Sequence, residues 1–432
     1  MDSIWTLTEK VPDFGTLKGD FKTDVLIIGG GITGILCAYM LQNKGVDCVI
    51  VEAGRICGGT TKNTTAKITV QHGLIYDKII SKYGLESARL YFQAQRDALE
   101  NYRKMCRNVE CDFKECDSFV YSLDSRKNIE NELNALSKIG CPGSFVDKPK
   151  LPFKTEGAVC IKSQAQFNPL KFLSSIAENL KIFENTRALE IRQGEVITDR
   201  GTIKADKVIV ATHFPFLNRH GAYFLKMYQH RSYVIALKNV PLINGMYIDE
   251  SGKGLSFREY NGLLLLGGGS HRTGKKGGGW NELSDFAKRY YPKAEEVCRW
   301  ATQDCMTLDG IPYIGQYSKN IPWLYVATGF NKWGMTSAMV SAMLLSDMTE
   351  GKKNAYTEVF SPQRSMLHPQ LAVNMAESLV GMFTPTTPRC PHLGCALKYN
   401  KYEHSWDCAC HGSRFTEEGK VIDNPANGDK NN

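Results

Sequence analysis

No apolar run in the 432 residues reaches the length of a membrane-spanning helix; the string LLLLGGG at 263–269 is far too short. The opening residues MDSIWTLTEKVPDFGTLKGDFKTD lack the apolar segment of a secretory signal. The expectation is therefore a cytoplasmic protein with no membrane span, in a compartment that keeps thiols reduced. No basic stretch is interleaved with aromatics, so nucleic acid is not an expected partner. No segment repeats along the chain. Ten of the fourteen cysteines lack metal-ligand spacing: Cys37, Cys48, Cys57, Cys106, Cys111, Cys116, Cys141, Cys160, Cys298 and Cys305. They read as structural or surface thiols.

What is present describes an ordinary globular protein of two or three domains, with 42% apolar and 23% charged residues. The net charge of +8 is spread along the chain. It reads as a solvated surface or as a landing surface for an acidic redox partner.

The stretch DVLIIGGGITGILCAYMLQNKGVDCVIVEAGR (24–55) reads as strand, tight turn, helix, strand. Val25 to Ile28 form the continuous apolar run of a strand buried on both faces. Gly29, Gly31 and Gly34 fit G-x-G-x-x-G: one permits the turn, one lets a pyrophosphate approach, one lets the helix pack on the strand. Ile32, Ile35, Leu36 and Tyr39 fall at helical spacing, and Gly45 ends the helix. The second strand delivers Glu52, 18 residues after the last glycine, where an acid hydrogen-bonds a ribose diol. Dinucleotide binding follows from this context rather than from the glycines alone.

The hydroxyl-rich loop GGTTKNTTAKIT (58–69) comes directly after that acid, and with it the chain resembles the D-amino-acid oxidase/glycine oxidase superfamily of FAD enzymes. Three later segments carry the same resemblance: ADKVIVATHFPF (205–216), TLDGIPYIGQ (307–316) and the strand, glycine loop and helix at 320–352. It spans about residues 21 to 365. It implies FAD held by Gly29, Gly31, Ile32, Thr33, Gly34, Glu52, Ala53 and Gly54, and by Gly59, Thr60, Thr61, Thr65, Ala66 and Lys67 of the wrapping loop. It adds Thr212 and His213, Asp309, and Gly329, Phe330, Gly334, Met335 and Thr336. The helix starting near Met335 offers free N–H groups and a positive dipole end to the flavin, while Met335, Met339, Val340 and Met343 pack in the core. Sarcosine oxidases of the superfamily bind flavin through a cysteine; the corresponding place here is Thr302, with Cys305 out of register, so non-covalent FAD is expected.

Near the C-terminus, RCPHLGCALKYNKYEHSWDCACHGSRF (389–415) holds four cysteines and three histidines. Cys390 and His392 in one loop, and Cys408 and His411 in the other, suit a zinc tetrahedron or a two-iron cluster. Zinc fingers pair cysteines first and histidines second, whereas here each loop mixes them. The loops CPHLGC and CACHGS resemble those of the Rieske [2Fe–2S] family. That resemblance implies Cys390, His392, Cys408 and His411 as cluster ligands and a Cys395–Cys410 disulfide pinning the loops. It also implies Leu393 as a shield and Ser413 as a hydrogen-bond donor to a bridging sulfide. Phe415 stands where the family often has a tyrosine, which predicts a lower potential. Strands for a full base sheet are not evident on either side, so a minimal unit leaning on the FAD domain or another subunit is expected.

The fold class expected is α/β, with a discontinuous Rossmann-like FAD-binding domain (1–90, 150–222 and 300–355). An antiparallel-sheet substrate domain (91–149 and 223–299) is inserted into it. A linker with a short helix (356–388), a Rieske unit (389–426) and a tail (427–432) complete the chain. Leu371, Met375, Leu379 and Met382 give the linker helix an apolar stripe, read as docking on the body in preference to membrane contact. The resemblance implies oxidation of a C–N bond in an amine or amino acid, with electrons leaving through the cluster to an external one-electron carrier. Arg258, His271 and Tyr260 are catalytic or substrate-binding candidates, with Gln303 and Asp304 beside them. A flavin/iron–sulfur carrier or sensor, and a simple FAD oxidase with a structural zinc, are the alternatives at this stage.

Overall fold

The computed structural model describes residues 2–217, 220–251, 254–385 and 388–430. Residues 386–387 of the expected linker and 431–432 of the expected tail lie outside them. The glycine-signature strand Phe21–Ile28 sits inside an eight-stranded sheet among the described residues. It pairs in parallel with Cys48–Val51 on one side and Gly201–Val210 on the other. Leu324–Thr328 extends the sheet in parallel, and Tyr313–Gln316 closes that edge antiparallel. Val25, Leu26, Ile27 and Ile28 are all nearly inaccessible, as a strand covered on both faces requires.

The helices Ile32–Asn43 and Gly334–Thr349 pack on this sheet and on each other. The close approach of the first helix to the strand depends on Gly34, where a Cβ would lie 1.9 Å from the Gly29 carbonyl oxygen.

The second sheet has nine strands among the described residues. Its centre is the meander Met227–Lys238, Leu263–Arg272 and Ser256–Tyr260, and Glu295–Thr307 is one edge. Lys114–Ser122, Gly157–Gln166 and the short Lys67–Ile68 complete the other side. Residues 157–166 and 295–307 thus lie in the sheet of the substrate half. The expected boundaries at 150 and 300 do not separate the sheets: the one at 300 falls inside the strand Glu295–Thr307, and Gly157–Gln166, beyond the one at 150, pairs in the second sheet.

The C-terminal unit carries more structure of its own than its sequence suggests. Leu397–Asn400, Ser405–Cys408, Arg414–Thr416 and Val421–Asp423 form a four-stranded antiparallel sheet. Leu397, Phe415 and Ala426 pack with the cysteines as its small core. The expected dependence on the body also appears. Arg414, 5% exposed, donates to Asp407, Asp423 and Glu403, and Glu403 in turn receives Arg231 of the body sheet.

The linker helix Pro369–Phe383 reverses expectation. Asn374 is its one buried residue, while Met375, Leu379 and Met382 face outward. No helix of the described residues is long and apolar enough to cross a membrane.

Candidate functional site

A cavity of about 930 Å³ opens along the C-terminal ends of the parallel strands, the crevice where open α/β sheets take ligands. Gly29 and Gly31, Glu52–Gly54, Ala211–His213 and Gly329–Phe330 each follow one of those strands and line it. Gly29 adopts φ +113° with the Ala211 carbonyl close behind it, which only glycine permits. A Cβ on Gly31 would meet only Thr61 Oγ1, so that backbone is open to the cavity.

The Glu52 carboxylate is held at the cavity edge by the N–H groups of Gly30 and Gly54, each 2.8 Å away. The wrapping loop adds Gly59, Thr60, Thr61, Thr65 and Lys67 to the lining. Thr61 Oγ1 accepts the Ile32 N–H at 3.1 Å, tying the loop to the helix start. Ile32, Thr33, Thr212, Asp309, Gly334 and Met335 also line the cavity.

Three expected residues act from behind the wall. Gly34 secures the helix–strand approach, Ala66 accepts from Arg258 at 3.0 Å, and Thr336 meets His72 at 3.0 Å. His72 was not foreseen. Buried and stacked on Trp333 with ring centroids 4.9 Å apart, it joins Tyr91 and the start of the closing helix. Burial pushes its pKa down to about 3, so it is a neutral, fixed wall.

The opposite end is polar. Lys332, at φ +72°, places Nζ 3.2 Å from Ser270 Oγ. Burial pushes the Lys332 ammonium down while Asp304 opposes, and burial pushes the Asp304 carboxyl up. Burial also lowers His213, and brings His230 to about 3. His213 Nε2, His230 Nδ1 and Thr302 Oγ1 are buried with no hydrogen-bond partner among the described residues. Orphaned polar atoms in a cavity wall are groups that a ligand completes. Together with the glycine cradle, Glu52 and the helix start at Gly334, they fit FAD. Cys305 lines the cavity, but burial holds its thiol well above the ordinary range, making it a poor nucleophile.

The three catalytic candidates fall outside the cavity lining. Arg258 is fully buried, donating to the carbonyls of Thr65, Ala66 and Phe167 and lying over Trp5. Its guanidinium braces the wrapping loop instead of meeting a substrate. Tyr260 donates to Asp112 at 2.8 Å and receives Asn168. His271 binds Tyr233 Oη and stacks on that ring, behind Ser270. Asp304 does line the cavity, whereas Gln303 turns away from it.

The cluster loops meet at the far side of the second sheet. The imidazole centroids of His392 and His411 are 4.8 Å apart, and the His411 ring is buried beside the Cys408 thiol. Burial and the nearby His411 push His392 down to about 4, the neutral form a metal requires. Cys408 lies among the thiols of Cys390, Cys395 and Cys410, whose hydrogen bonds hold it well below the ordinary thiol range. Ser413 is fully buried beside Cys390. Cys395 and Cys410 stand as free thiols, with the sulfurs of Cys395, Cys408 and Cys410 all within 4.8 Å of one another. Two facing imidazoles and a nest of buried cysteines fit a Rieske centre.

One layer of strands separates the two sites. Along Met227–Lys238, Tyr228, His230 and Ser232 line the cavity while Gln229 and Arg231 reach the cluster unit, the alternation a strand imposes. Gln229 Nε2 donates to the His411 carbonyl at 3.1 Å, and Gln303 Nε2 to the Gly412 carbonyl at 2.9 Å. Arg272 grips the Ala409 and Cys410 carbonyls, each 3.1 Å away.

Comparison with known proteins matches both halves. The FAD dependent oxidoreductase (DAO) family model covers residues 24–348, and the Rieske [2Fe-2S] domain model covers 345–431. A putative Rieske 2Fe-2S iron-sulfur protein, YhfW of Bacillus subtilis, is 36% identical over 98% of this chain and 96% of its own. Gamma-glutamylputrescine oxidoreductase of Escherichia coli is 22% identical over 79% of this chain and 87% of its own. The solved glycine oxidase of Geobacillus kaustophilus shares the fold at TM-score 0.65 and 21% identity, over 80% of this chain and 99% of its own. The chain belongs to the DAO family of FAD-dependent oxidoreductases and carries a Rieske [2Fe–2S] domain at its C-terminus.

Proposed function

We propose that the protein oxidises a C–N bond of an amine or amino acid and sends the electrons singly through the cluster to an external carrier. The amine-directed relatives support the substrate class. Bound FAD supplies a two-electron acceptor, and the [2Fe–2S] centre a one-electron relay. Overall, the substrate loses two electrons and two protons to become an imine, which water hydrolyses to a carbonyl compound with release of ammonia or an amine. Lys332 is the group on the polar wall suited to a substrate carboxylate, with His230 near it and Tyr228 lining the same cavity. The glycine turn, Glu52, the wrapping loop and the start of the closing helix at Gly334 hold FAD, and Cys390, His392, Cys408 and His411 hold the iron.

The observation that carries the electron route is the single strand layer between cavity and cluster loops, crossed by Gln229 and Gln303. The test is an anaerobic panel of amines and amino acids, read by bleaching of the flavin band and by the Rieske EPR signal. A productive substrate should bleach the flavin and then raise the cluster signal. If no amine bleaches a flavin that dithionite reduces, the substrate class is refuted. Bleaching without any cluster signal refutes the route.

A further inference from the structure

The helix Pro369–Phe383 is packed inside out. Its docked side is polar or small: Asn374 donates to the Leu225 carbonyl and accepts from Arg272, and Gly381 lies against the Cys395 and Cys410 sulfurs. The other side carries Val373, Met375, Leu379, Val380, Met382 and Phe383, between 48% and 80% exposed. Ala372 and Ala376 fill the gaps, so at 100° per residue half the helix circumference is apolar without interruption. Leu367 just before the helix and Leu393 of the cluster loop are exposed too. Together these side chains present on the order of 800 Å² of apolar surface, beyond the few hundred that soluble monomers usually leave open.

Cations bracket this face. Lys82 contacts His368 at the helix start, and Lys275 pairs at 2.6 Å with Glu377, the helix's only acid, beside the exposed Lys276. Arg389 donates to the Gly381, Met382 and Thr384 carbonyls at its end. We propose that this helix is a monotopic membrane anchor, lying flat with its apolar half in an anionic bilayer surface and the basic groups at the headgroups. Fifteen residues are too few to span, but suffice to lie in the interface. A second copy docked here would oppose one basic rim to another. A soluble redox carrier would meet an uninterrupted apolar face where weak electron-transfer interfaces are small and polar at the rim. Because Leu393 and the partly exposed His392 share a loop beside the helix, the anchor would bring the cluster edge to the lipid.

The test is flotation of the full-length holoprotein with phosphatidylcholine vesicles, with and without phosphatidylglycerol. Co-flotation with the anionic vesicles is expected, weakened by salt and by about fivefold in Lys276→Gln. It should be lost in the double variant Leu379→Glu, Phe383→Glu. Both residues are exposed, so the variant should keep the flavin and cluster spectra of the wild type. Absence of binding by the wild type overturns the proposal, as does binding that the double variant retains. So does a dimer in sedimentation, or capture of an acidic carrier protein, that the same variant abolishes without lipid.

Discussion

Glu403→Gln should loosen the hold of the body on the cluster unit while leaving the FAD domain folded. Glu403 sits at the junction, 6% exposed at its side chain, and accepts from Arg414 at 2.8 Å, from Arg231 Nε at 3.1 Å and from Tyr233 Oη at 3.0 Å. Those arginine side chains are 4% and 5% exposed, so the amide would leave two buried guanidinium groups short of a counter-charge. Arg414 retains Asp407 and Asp423, whereas Arg231 has no second ion pair among the described residues and keeps only the more distant charge of Asp304. Breaking a buried pair this way costs about 3–5 kcal/mol, a hundredfold or more in the docking equilibrium. The remaining junction bonds run from Gln229, Gln303 and Arg272 to carbonyls of the cluster unit and from Asn424 and Asn427 to carbonyls of the body, worth about 0.5–1.5 kcal/mol each, or about 1.5–3 for Arg272. Hydrogen exchange should therefore show faster exchange across 397–423 and along Met227–Lys238, with Phe21–Ile28 unchanged and flavin retained. Unchanged exchange at the junction, or equal loss of protection in both sheets, would refute this reasoning.

Other expectations follow from single contacts. Gly34→Ala puts a Cβ 1.9 Å from the Gly29 oxygen; the helix must retreat, at a cost of about 1–3 kcal/mol, and FAD content after purification should fall. Retention of full FAD occupancy would show that the close approach does not matter. Asp309 is buried, which favours its neutral form, but Arg364 and Tyr83 outweigh burial and bring it to about 2, below its ordinary value of 3.8. A depressed carboxyl stabilises above its unfolded pKa and loses that stability as pH falls through the folded one. About 2 kcal/mol should thus disappear between roughly pH 4 and pH 2. Asp309→Asn should flatten that part of the denaturation curve, and an unchanged slope would count against the pairing. His411→Ala should abolish the Rieske EPR signal and its two irons while the flavin spectrum survives; an intact cluster would remove His411 from the ligands.

The sequence was legible where backbone chemistry is local. Gly29, Gly31, Gly34 and Glu52 announce themselves because each is fixed within one turn or strand end, and the cluster loops because metal ligands need tight spacing. Arg258 was misleading because its environment is assembled from distant parts of the chain: Trp5, Thr65 and Phe167 surround it. His72 and Lys332 carried no motif, since Tyr91, Trp333 and Ser270 give them meaning only in three dimensions. The C-terminal strands, of three or four residues each, are too short for periodicity to register. The apolar stripe at 371–382 was visible, but periodicity tells that a helix has a face and not what the face meets.

The most direct test of the account is intramolecular electron transfer. Flash photoreduction of the flavin in anaerobic holoprotein, followed by rapid-freeze EPR, would time the appearance of the Rieske signal. The account predicts that the cluster is reduced as the flavin is reoxidised, at a rate independent of protein concentration and slowed in Glu403→Gln. A reduced flavin that persists beside an oxidised cluster, or a rate that rises with concentration, would contradict it.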